Sequence, residues 1–487
     1  MTAQNHDPGH QGPGRNSHAP LTIRHKAAYA TGDIGDGIQG AVVNTFALFY
    51  LTSVCGLPGS LAGLALGISL VAEAITTPLF GYMSDNTHSR WGRRHPYLFL
   101  GSLPLALSVG MIFSIPAFDS TWTKFAYVLT VLIILRVSFS AFALPYAALG
   151  AELSQDYTER SVIMAYRNFF NICGTTACYI LGFGIFMSGE AGMVKPGAYT
   201  SFGWVCALIL FMSILISACS SLGLRHRLHQ NISAEGSARS RFPGEVRNIF
   251  RNPSFKVLFL MILVFSTAQG IIESLSVHAF KYFWDLPTSV TNHIFIFRMA
   301  GMICGIPVYA MLLKRYEKRD ILIMGMILIS LIQFILPVLT LTGIMPEGGS
   351  VLYAILYVVY LVNGCLLTFL WISYGSMIAD AADEHDFLFG VRREGFYFAG
   401  VIFAAKCALG LGAFIAGVSL EWIGFPNDLA LNPDQIISTV TLQNLGLIFG
   451  PGASLIAFMA VVILFQYKLD RETHRNIRAE LDKRVTA

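Results

Sequence analysis

The stretch that decides the fold is YATGDIGDGIQG, residues 29–40, which leads directly into the apolar run AVVNTFALFYL at residues 41–51. The two together are long enough to cross a membrane, which takes about 20 mostly apolar residues. Asp33 and Asp36 lie inside this segment. A charged side chain at such a depth is costly and usually marks a pathway or a buried ion pair. The stretch therefore predicts a membrane helix that carries polar function.

The composition of the whole chain agrees with an integral membrane protein. Its 487 residues are 54% hydrophobic and only 13% charged, with a mean hydropathy of +0.59, whereas soluble domains carry about 25% charged residues. The eight cysteines fall mostly within apolar runs without a CxxC pair, so we interpret them as small apolar residues. No metal site, cofactor motif or nucleophile–base set of an enzyme stands out. The basic clusters lie in loops, where membrane topology explains them better than nucleic-acid binding.

Twelve apolar stretches of the required length follow one another along the chain. They lie near residues 27–53, 60–84, 96–117, 122–151, 161–187, 201–223, 254–284, 288–314, 319–343, 350–379, 395–421 and 443–467. The polar stretch 224–253 divides them into two groups of six, which is typical of the major facilitator fold. We therefore expect an all-α membrane protein with two pseudo-symmetric six-helix bundles, at 25–223 and 254–467, and a substrate site between them near the membrane midplane.

The distribution of Lys and Arg predicts the orientation of the chain. The basic stretches SRWGRR (89–94), RHRLH (225–229), KRYEKR (314–319) and VRRE (391–394) all fall on one side of the membrane, together with the C-terminal tail. The positive-inside rule then places both termini and the central loop in the cytoplasm. We expect residues 1–24 to be a disordered tail, and residues 468–487 to be a charged tail that is either a solvated helix or disordered.

Acidic residues near the midplane are the candidates for ion coupling. Asp33 and Asp36 share one face of the first helix by their i, i+3 spacing, and Gln39 continues that face. Glu73 lies in the middle of the second apolar stretch, with Thr77 one turn further on. A carboxylate beside a hydroxyl is suited to binding Na⁺ or carrying a proton. The candidate cation-binding or coupling residues are Glu73, Thr77, Asp36, Asp33 and Lys406.

Basic and aromatic side chains at similar depth complete a candidate cavity. Arg136, Arg167, Arg298 and Lys406 lie within the fourth, fifth, eighth and eleventh apolar stretches. Such residues can also serve only to pair with acids and hold helices together, which is the interpretation that we favour for Arg298. Aromatic faces stack on sugars and on other apolar ring surfaces. The candidate substrate-binding residues are Asp36, Gln39, Tyr146, Arg167, Trp371 and Tyr374.

Charged residues also cluster where the helices reach the cytoplasm. We expect them to form ion pairs between helices, which stabilise one state of the transport cycle, rather than to contact a ligand. The candidate residues of this cytoplasmic gate are Asp85, Arg90, Arg93, Arg94, Asp380, Asp383, Arg392 and Glu394.

Four segments of the chain resemble one known family. They are YATGDIGDG near the start, TTPLFGYMSDNTHSRWGRRHPY after the second apolar stretch, YRNFF in the fifth, and WISYGSMIADAADEHDFLFGVRREGFYFAGVIFAAK around the tenth and eleventh. From about residue 25 to 470 the chain is similar to the glycoside–pentoside–hexuronide:cation symporters. The resemblance implies a symporter of a bacterial inner membrane that works by alternating access. It also implies that Glu73 and Lys406 lie at the cation site, that Arg167 matches the family's helix-five arginine, and that Trp371 lies beside the sugar.

The chain departs from the family pattern at several of its binding positions. Thr77 stands where the family has a second acidic residue, and Leu70 where it has an arginine. Ala143 and Gly37 stand where the family has its two sugar-binding aspartates. Asp36 is the neighbour of Gly37, but one position along an α-helix turns a side chain by about 100°. The resemblance therefore leaves the substrate and the coupling ion open.

Three functions from different classes follow from these features. The first is a Na⁺- or H⁺-coupled symporter of a glycoside or similar small organic solute, in which an occupied Glu73 favours the outward-open state. The second keeps the fold and couples protons to an anionic or amphipathic solute, such as a uronic acid, another organic acid or a lysolipid-like molecule. The third is a membrane sensor or scaffold, against which the midplane charges argue. We expect a functional monomer in the lipid bilayer, because the cavity lies within one chain.

Overall fold

The computed structural model describes residues 21–154, 156–189, 192–224, 250–346, 348–390, 394–427, 429, 430, 432 and 435–486, and its regular structure is helical throughout these residues. Twelve of the described helices are long and apolar enough to cross a membrane. They are α1 Ile23–Val54, α2 Gly59–Asp85, α3 His95–Ile112, α4 Thr121–Gly150, α5 Glu159–Phe186, α6 Pro196–Leu222, α7 Pro253–Phe283, α8 Thr288–Leu312, α9 Lys318–Leu341, α10 Gly349–Phe389, α11 Gly395–Trp422 and α12 Thr439–Leu464. A further helix, α13, spans Arg471–Thr486.

The first six and the last six membrane helices pack in the same pattern. In the first half, α1 packs on α5 and α6, α4 packs on α2 and α3, and α3 packs on α6. In the second half, α7 packs on α11 and α12, α10 packs on α8 and α9, and α9 packs on α12. Each pair of the first half becomes a pair of the second when six is added to its labels. The predicted architecture of twelve helices in two pseudo-symmetric halves is confirmed.

Three helix pairs carry the main packing between the halves: α1 with α7, α2 with α11, and α5 with α8. The same pseudo-symmetry exchanges the α2–α11 pair with the α5–α8 pair. We call the end of the bundle at which α1 begins and α12 ends the basic end, and the opposite end the far end. The basic end carries Arg93, Arg94, Lys318 and Arg471.

The α2–α11 pair is a contact of backbone on backbone. A Cβ atom added to Gly59 would lie 2.3 Å from the carbonyl oxygen of Gly417, and one added to Gly417 would lie 2.1 Å from that of Gly59. One added to Gly67 would lie 3.1 Å from the carbonyl oxygen of Gly410. Small residues allow this close approach of membrane helices. We call the contact the glycine seam, which comprises Gly59, Gly63, Gly67, Gly410 and Gly417.

The other two pairs close the far end with side chains. Phe295 of α8 stacks on two rings of α5, at 4.4 Å from the ring centre of Tyr179 and 5.5 Å from that of Phe183. His278 of α7 lies 3.0 Å from the hydroxyl oxygen of Thr52 on α1, through its Nε2 atom. All four of these larger side chains are buried, so the contacts of α5 with α8 and of α1 with α7 close the far end between the halves.

The basic end of the bundle is open. Between residues 161 and 169 of α5 only Ile163 is buried, and the exposed and half-buried positions together surround most of the helix. A helix packed against neighbours on all but its lipid face would bury more of these positions, so a crevice adjoins α5 here. Trp371 of α10 is also half exposed. The bundle is therefore closed at the far end and open at the basic end.

Helix α10 is longer than the apolar stretch 350–379 predicts. It runs for 41 residues, about 60 Å at the usual rise per residue. Its C-terminal part contains Asp380 and Asp383, and the polarity of these residues ends the apolar stretch from which the helix is predicted. They remain helical because α13 packs beside them, with Ile477 of α13 buried and His474 at 3.2 Å from Asp383. The C-terminal segment is thus helical, which is one of the two alternatives that we expected, and it is docked on α10.

The N-terminal boundary also differs from the expected one. The backbone N–H of Leu21 donates a hydrogen bond to Glu159 on α5 at 2.7 Å, and α1 begins at Ile23. Residues 21–24 are therefore part of the folded bundle, although we expected a disordered tail up to residue 24. Residues 1–20 of that predicted tail, and residues 225–249 of the predicted central loop, lie outside the described residues.

Candidate functional site

A buried carboxylate joins the two halves near the middle of the bundle. Glu73 of α2 is 1% exposed, and each of its oxygens accepts a hydrogen bond from a different cation. Arg136 of α4 donates to Oε2 at 2.7 Å, and Lys406 of α11 donates to Oε1 at 2.5 Å. Arg136 belongs to the first half and Lys406 to the second, so the Glu73 carboxylate connects the two halves through ion pairs. We call this group of three residues the ion bridge. The structure brings together Glu73 and Lys406, which the sequence analysis placed in one site.

This ion bridge lies on the same helix faces as the glycine seam. Leu70 precedes Glu73 by three residues on α2, and Lys406 precedes Gly410 by four on α11. A Cβ atom added to Gly410 would lie 3.1 Å from that of Leu70. Since residues three and four apart share a helix face, the seam runs from the far end down to the ion bridge. The seam and the ion bridge together form one continuous contact that ends near the midplane.

The hydroxyl beside Glu73 contacts backbone and not the carboxylate. Thr77 donates its hydroxyl hydrogen to the carbonyl oxygen of Glu73 at 2.7 Å, and the same hydroxyl lies 3.0 Å from that of Ser140 on α4. Thr76 donates to Ser140 as well, at 3.0 Å. The threonines thus tie α2 to α4. In this conformation Thr77 does not complete an ion site with the Glu73 carboxylate; its predicted coupling role remains a prediction.

A second ion pair joins α1 and α5. Arg167 donates from Nε to one oxygen of Asp33 at 2.8 Å and from Nη2 to the other at 3.1 Å. Such paired contacts fix the carboxylate in orientation as well as in charge. Tyr146 of α4 adds a hydrogen bond to Asp33 at 2.6 Å, and the Arg167 guanidinium lies 4.6 Å from the centre of its ring. Tyr146 is buried, so it supports Asp33 from behind rather than lining the crevice.

Asp36 has a different kind of partner. It is half-buried, and Asn171 of α5 donates an amide hydrogen to its Oδ2 at 3.0 Å. The neighbouring Gly37 lies against α5, where an added Cβ would be 2.3 Å from the carbonyl oxygen of Asn171. No side chain fits at that position without moving α1 away from α5. The packing of α1 on α5 thus leaves no room at Gly37 for the aspartate of the family pattern.

The remaining candidate substrate-binding residues differ in exposure: one is half exposed and two are buried. Trp371 of α10 is 49% exposed. Gln39 is buried, and its Nε2 has no hydrogen-bond partner among the described residues. Tyr374 is buried inside the second half, where its hydroxyl donates to the carbonyl oxygen of Leu258 on α7 at 3.3 Å. The structure therefore places Tyr374 between helices of one half, unlike the cavity wall that we expected.

A third ion pair belongs to the second half. Arg298 of α8 donates to Glu273 of α7 at 3.0 Å, in line with the pairing role that we favoured for Arg298. A small cavity separates Glu273 from Arg136 of the first half and is also lined by Asn44 and Ser274. It has room for about one water molecule. Polar groups of the two halves thus face each other at the midplane across this water-sized cavity.

The charged residues at the basic end of the first half form one cluster. Arg94 is buried and donates to Asp85 at 3.2 Å and to Glu152 at 2.6 Å. Arg93 also donates to Glu152. Arg90 lies over the ring of the tryptophan that follows it, at 5.4 Å from the ring centre. Sequence reasoning missed Glu152, which follows a long apolar stretch without a motif of its own.

The corresponding cluster of the second half joins α9, α10 and α13. Lys318 forms an ion pair with Asp380, and His474 lies 3.6 Å from the same carboxylate. Asp383 pairs with His474 and, at 3.5 Å, with Arg478. Arg392 and the side chain of Glu394 lie outside the described residues. In this conformation the ion pairs described for the two clusters stay within one half each.

Comparisons with known proteins agree with this architecture. Residues 28–471 match the family described as MFS/sugar transport protein. The chain is 23% identical to the isoprimeverose transporter of Lactiplantibacillus pentosus, with 93% of this chain and 91% of that protein aligned. It is 22% identical to a glucuronide carrier protein homolog of Escherichia coli, with 95% and 96% aligned. It is 26% identical to an uncharacterized symporter of Synechocystis, with 95% and 97% aligned.

Solved structures are similar over almost the same length. A D-xylose–proton symporter superimposes with a TM-score of 0.61 at 14% identity, covering 92% of this chain and 98% of that one. A nucleoside transporter superimposes with a TM-score of 0.60 at 14% identity, covering 92% and 100%. At these identities the likeness concerns the fold alone. It confirms the major facilitator fold, and the family match confirms the resemblance noted in the sequence.

Proposed function

Because the chain belongs to the MFS/sugar transport protein family, we propose that it is a cation-coupled symporter that carries a glycoside or similar small organic solute by alternating access. The observation that carries the proposal is the ion bridge of Glu73 to both halves, at the depth where the sealed far end meets the open crevice. Named relatives include a putative glycoside/cation symporter and the isoprimeverose transporter. These relatives support a transporter and not an enzyme.

We place the basic end in the cytoplasm, as the positive-inside rule favours. With this orientation the described conformation is open to the cytoplasm, and the protein is a multi-pass protein of a bacterial inner membrane. The solute enters when the far end opens and leaves through the crevice beside α5. Asp36, Arg167 and Trp371 are the polar and aromatic groups near that crevice. One chain contains the whole path, which supports a functional monomer.

Alternating access follows from the distribution of contacts. The sealed helix pairs lie between the far end and the midplane, and the crevice lies between the midplane and the basic end. Rotating the halves about the midplane opens the first region while closing the second. Glu73 and Lys406 lie close to the axis of such a rotation, so their ion pair needs the least movement. The coupling ion and the solute then act by biasing this one equilibrium.

The first experiment is uptake into proteoliposomes. Isoprimeverose, a β-glucuronide and sulfoquinovose are the solutes named for three relatives, the last for a putative sulfoquinovose importer of Salmonella typhimurium. Each is offered in turn with a Na⁺ gradient, with a pH gradient, and with neither. We expect at least one of the three to accumulate above its external concentration when one gradient is present. Trp371→Ala should weaken uptake, whereas Trp422→Ala, which removes a far-end tryptophan that is 82% exposed, serves as the matched control. Absence of gradient-driven uptake for all three solutes would contradict the proposal.

An anionic solute is the second candidate, and the charges of the site are its specific support. The site contains three carboxylates and three cations, so one added proton leaves it with an excess positive charge, which a monoanionic solute would neutralise. These residues are Asp33, Asp36, Glu73, Arg136, Arg167 and Lys406. Competition separates the candidates: the β-glucuronide and sulfoquinovose should displace each other but not be displaced by isoprimeverose. Displacement by the neutral disaccharide alone would rule this candidate out.

A further inference from the structure

We propose that Asp36, and not Glu73, is the carboxylate that binds the coupling ion, and that this ion is a proton. The role of this proton in transport rests on the proposed function above, whereas its binding to Asp36 does not. Four carboxylates lie away from the ends of the membrane-spanning helices: Asp33, Asp36, Glu73 and Glu273.

Three of these four carboxylates already have a cationic partner. Glu73 has two, Arg136 and Lys406. Asp33 is held by the guanidinium of Arg167, and Glu273 by that of Arg298. Among the described residues, the hydrogen-bond partner of Asp36 is the neutral amide of Asn171.

Glu73 is a poor site for either coupling ion in this arrangement. A Na⁺ ion would be a third cation beside one carboxylate, and both carboxylate oxygens are occupied by N–H donors. A proton would neutralise the only negative charge between two cations. Breaking a buried ion pair by removing one partner is strongly destabilising, because the other charge stays buried. The same reasoning applies to Asp33 and its bidentate partner Arg167.

The groups that face Asp36 supply no dedicated counter-ion. Its own helix contributes Asp33, and α5 contributes Arg167 and Asn171. Glu73 of α2 and Lys406 of α11 act on it from across the crevice. Arg167 is engaged by Asp33, and Lys406 by Glu73. Binding a proton at Asp36 therefore breaks no ion pair, which is true of no other carboxylate in this set.

A carboxylate without a counter-ion couples protonation to closure of the crevice. Asp36 is half-buried in the open conformation, so water can solvate its charge. Closure of the basic end removes that water, and an ionised carboxylate without a cationic partner is costly in a dry environment. A neutral carboxyl is not penalised in this way and still bonds to Asn171. Protonation thus favours the closed basic end, and by reciprocity closure favours protonation.

The direct test is infrared titration of the purified protein in proteoliposomes, with no solute present. We expect the difference spectrum between the wild-type protein and Asp36→Asn to contain the carbonyl-stretch band of a protonated carboxyl group, which titrates with pH. Asp36→Glu should keep the band with a shifted midpoint. Glu73→Gln combined with Lys406→Gln, which removes an acid and a base together, should also keep it.

The proposal is overturned if Asp36→Asn retains the titrating band, or if the Glu73 and Lys406 double variant loses it. A transport measurement adds a second readout with isoprimeverose and the β-glucuronide. The ratio of accumulation with and without a pH gradient should exceed unity in the wild-type protein and fall to unity in Asp36→Asn. Accumulation driven by Na⁺ in both proteins would overturn the proposal. If neither these two sugars nor sulfoquinovose is transported, the proposed function fails, and the infrared titration still decides the role of Asp36.

Discussion

The α2–α11 and α5–α8 pairs occupy equivalent positions between the two halves, but the contacts within them differ in chemistry. The α2–α11 pair brings backbones together through glycines and ends in the ion bridge of Glu73 to Lys406. The α5–α8 pair brings rings together, with Phe295 stacked on Tyr179 and Phe183. Pseudo-symmetry of the fold therefore does not extend to the chemistry of its interfaces.

The difference predicts that the two helix pairs have different roles in the opening of the far end. Backbones in contact at the glycine seam have no side chains to withdraw, so the helices can turn against each other but separate only as whole bodies. Ring stacking can be released by a change in side-chain position. We therefore expect the α2–α11 pair to act as the axis of the motion and the α5–α8 pair to act as the part that opens. Four substitutions test this comparison.

The largest effect is expected from Glu73→Gln. It removes the carboxylate of the ion bridge and leaves the buried Arg136 and the half-buried Lys406 without a counter-charge, at a cost of about 3–5 kcal/mol. The melting temperature in detergent should fall markedly, and adding Lys406→Gln should restore part of it. Glu421→Gln is the matched control, because Glu421 lies on α11 and accepts a backbone hydrogen bond from Ser60 of α2. Equal melting temperatures for the two single variants would contradict the bridging role of Glu73.

Gly417→Ala should have the next largest effect. Its Cβ atom would lie 2.1 Å from the carbonyl oxygen of Gly59, so the helices must separate. Overpacking of this kind costs about 1–3 kcal/mol. Spin labels on cysteines at the exposed positions Trp122 and Ile436, in a cysteine-free background, should report a longer distance across the far end. Gly375→Ala is the control, since no atom lies within 4 Å of an added Cβ there; the same lengthening in both would refute the seam.

Phe295→Leu should weaken the opposite pair more gently. It removes the ring stacked on α5, and aromatic pairs contribute about 0.5–1.5 kcal/mol beyond the area that they bury. The same spin labels should show a larger fraction of molecules with an open far end. Phe297→Leu is the control on the same helix, because Phe297 stacks on Tyr357 within the second half, at 5.0 Å. If both variants open the far end equally, ring stacking between α5 and α8 is not what holds it closed.

The smallest effect is expected at the basic end. Arg478→Ala removes one partner of Asp383, and exposed ion pairs of this type are worth about 0.2–1 kcal/mol. The described partners of the pair lie in the second half, so the distance between far-end labels should not change. The melting temperature should differ little from that of Arg475→Ala, an exposed position on the same helix. A clear change in the far-end distance would mean that this cluster bridges the halves.

Much of the fold could be predicted from local sequence, because a membrane span is defined by its own apolar length. The end of α10 was the exception, since the polar residues Asp380 and Asp383 are held in a helix by α13, almost a hundred residues further on. Burial of charge at the midplane could also be predicted, by counting residues from the ends of the spans to Asp36 and Glu73.

The partners of those charges could not be predicted in the same way. Asp33 and Arg167 are 134 residues apart, and Glu73 and Lys406 are 333 apart, so no helical spacing relates them. Asn171, the partner of Asp36, carries no charge that would single it out in the sequence. The direction in which Tyr374 points depends on how α10 packs against α7, which composition does not encode.

The length of α10 has a mechanical consequence. Roughly half of this helix extends from the midplane towards the basic end, an arm of about 30 Å at the usual rise per residue. Each degree by which the second half tilts then displaces the end of the arm by about half an ångström. Because α13 is attached there through Asp383, the C-terminal helix travels with the tip of this lever. A small rotation of the second half about the membrane midplane thus produces its largest displacement at the aqueous surface, where α10 ends and α13 is attached.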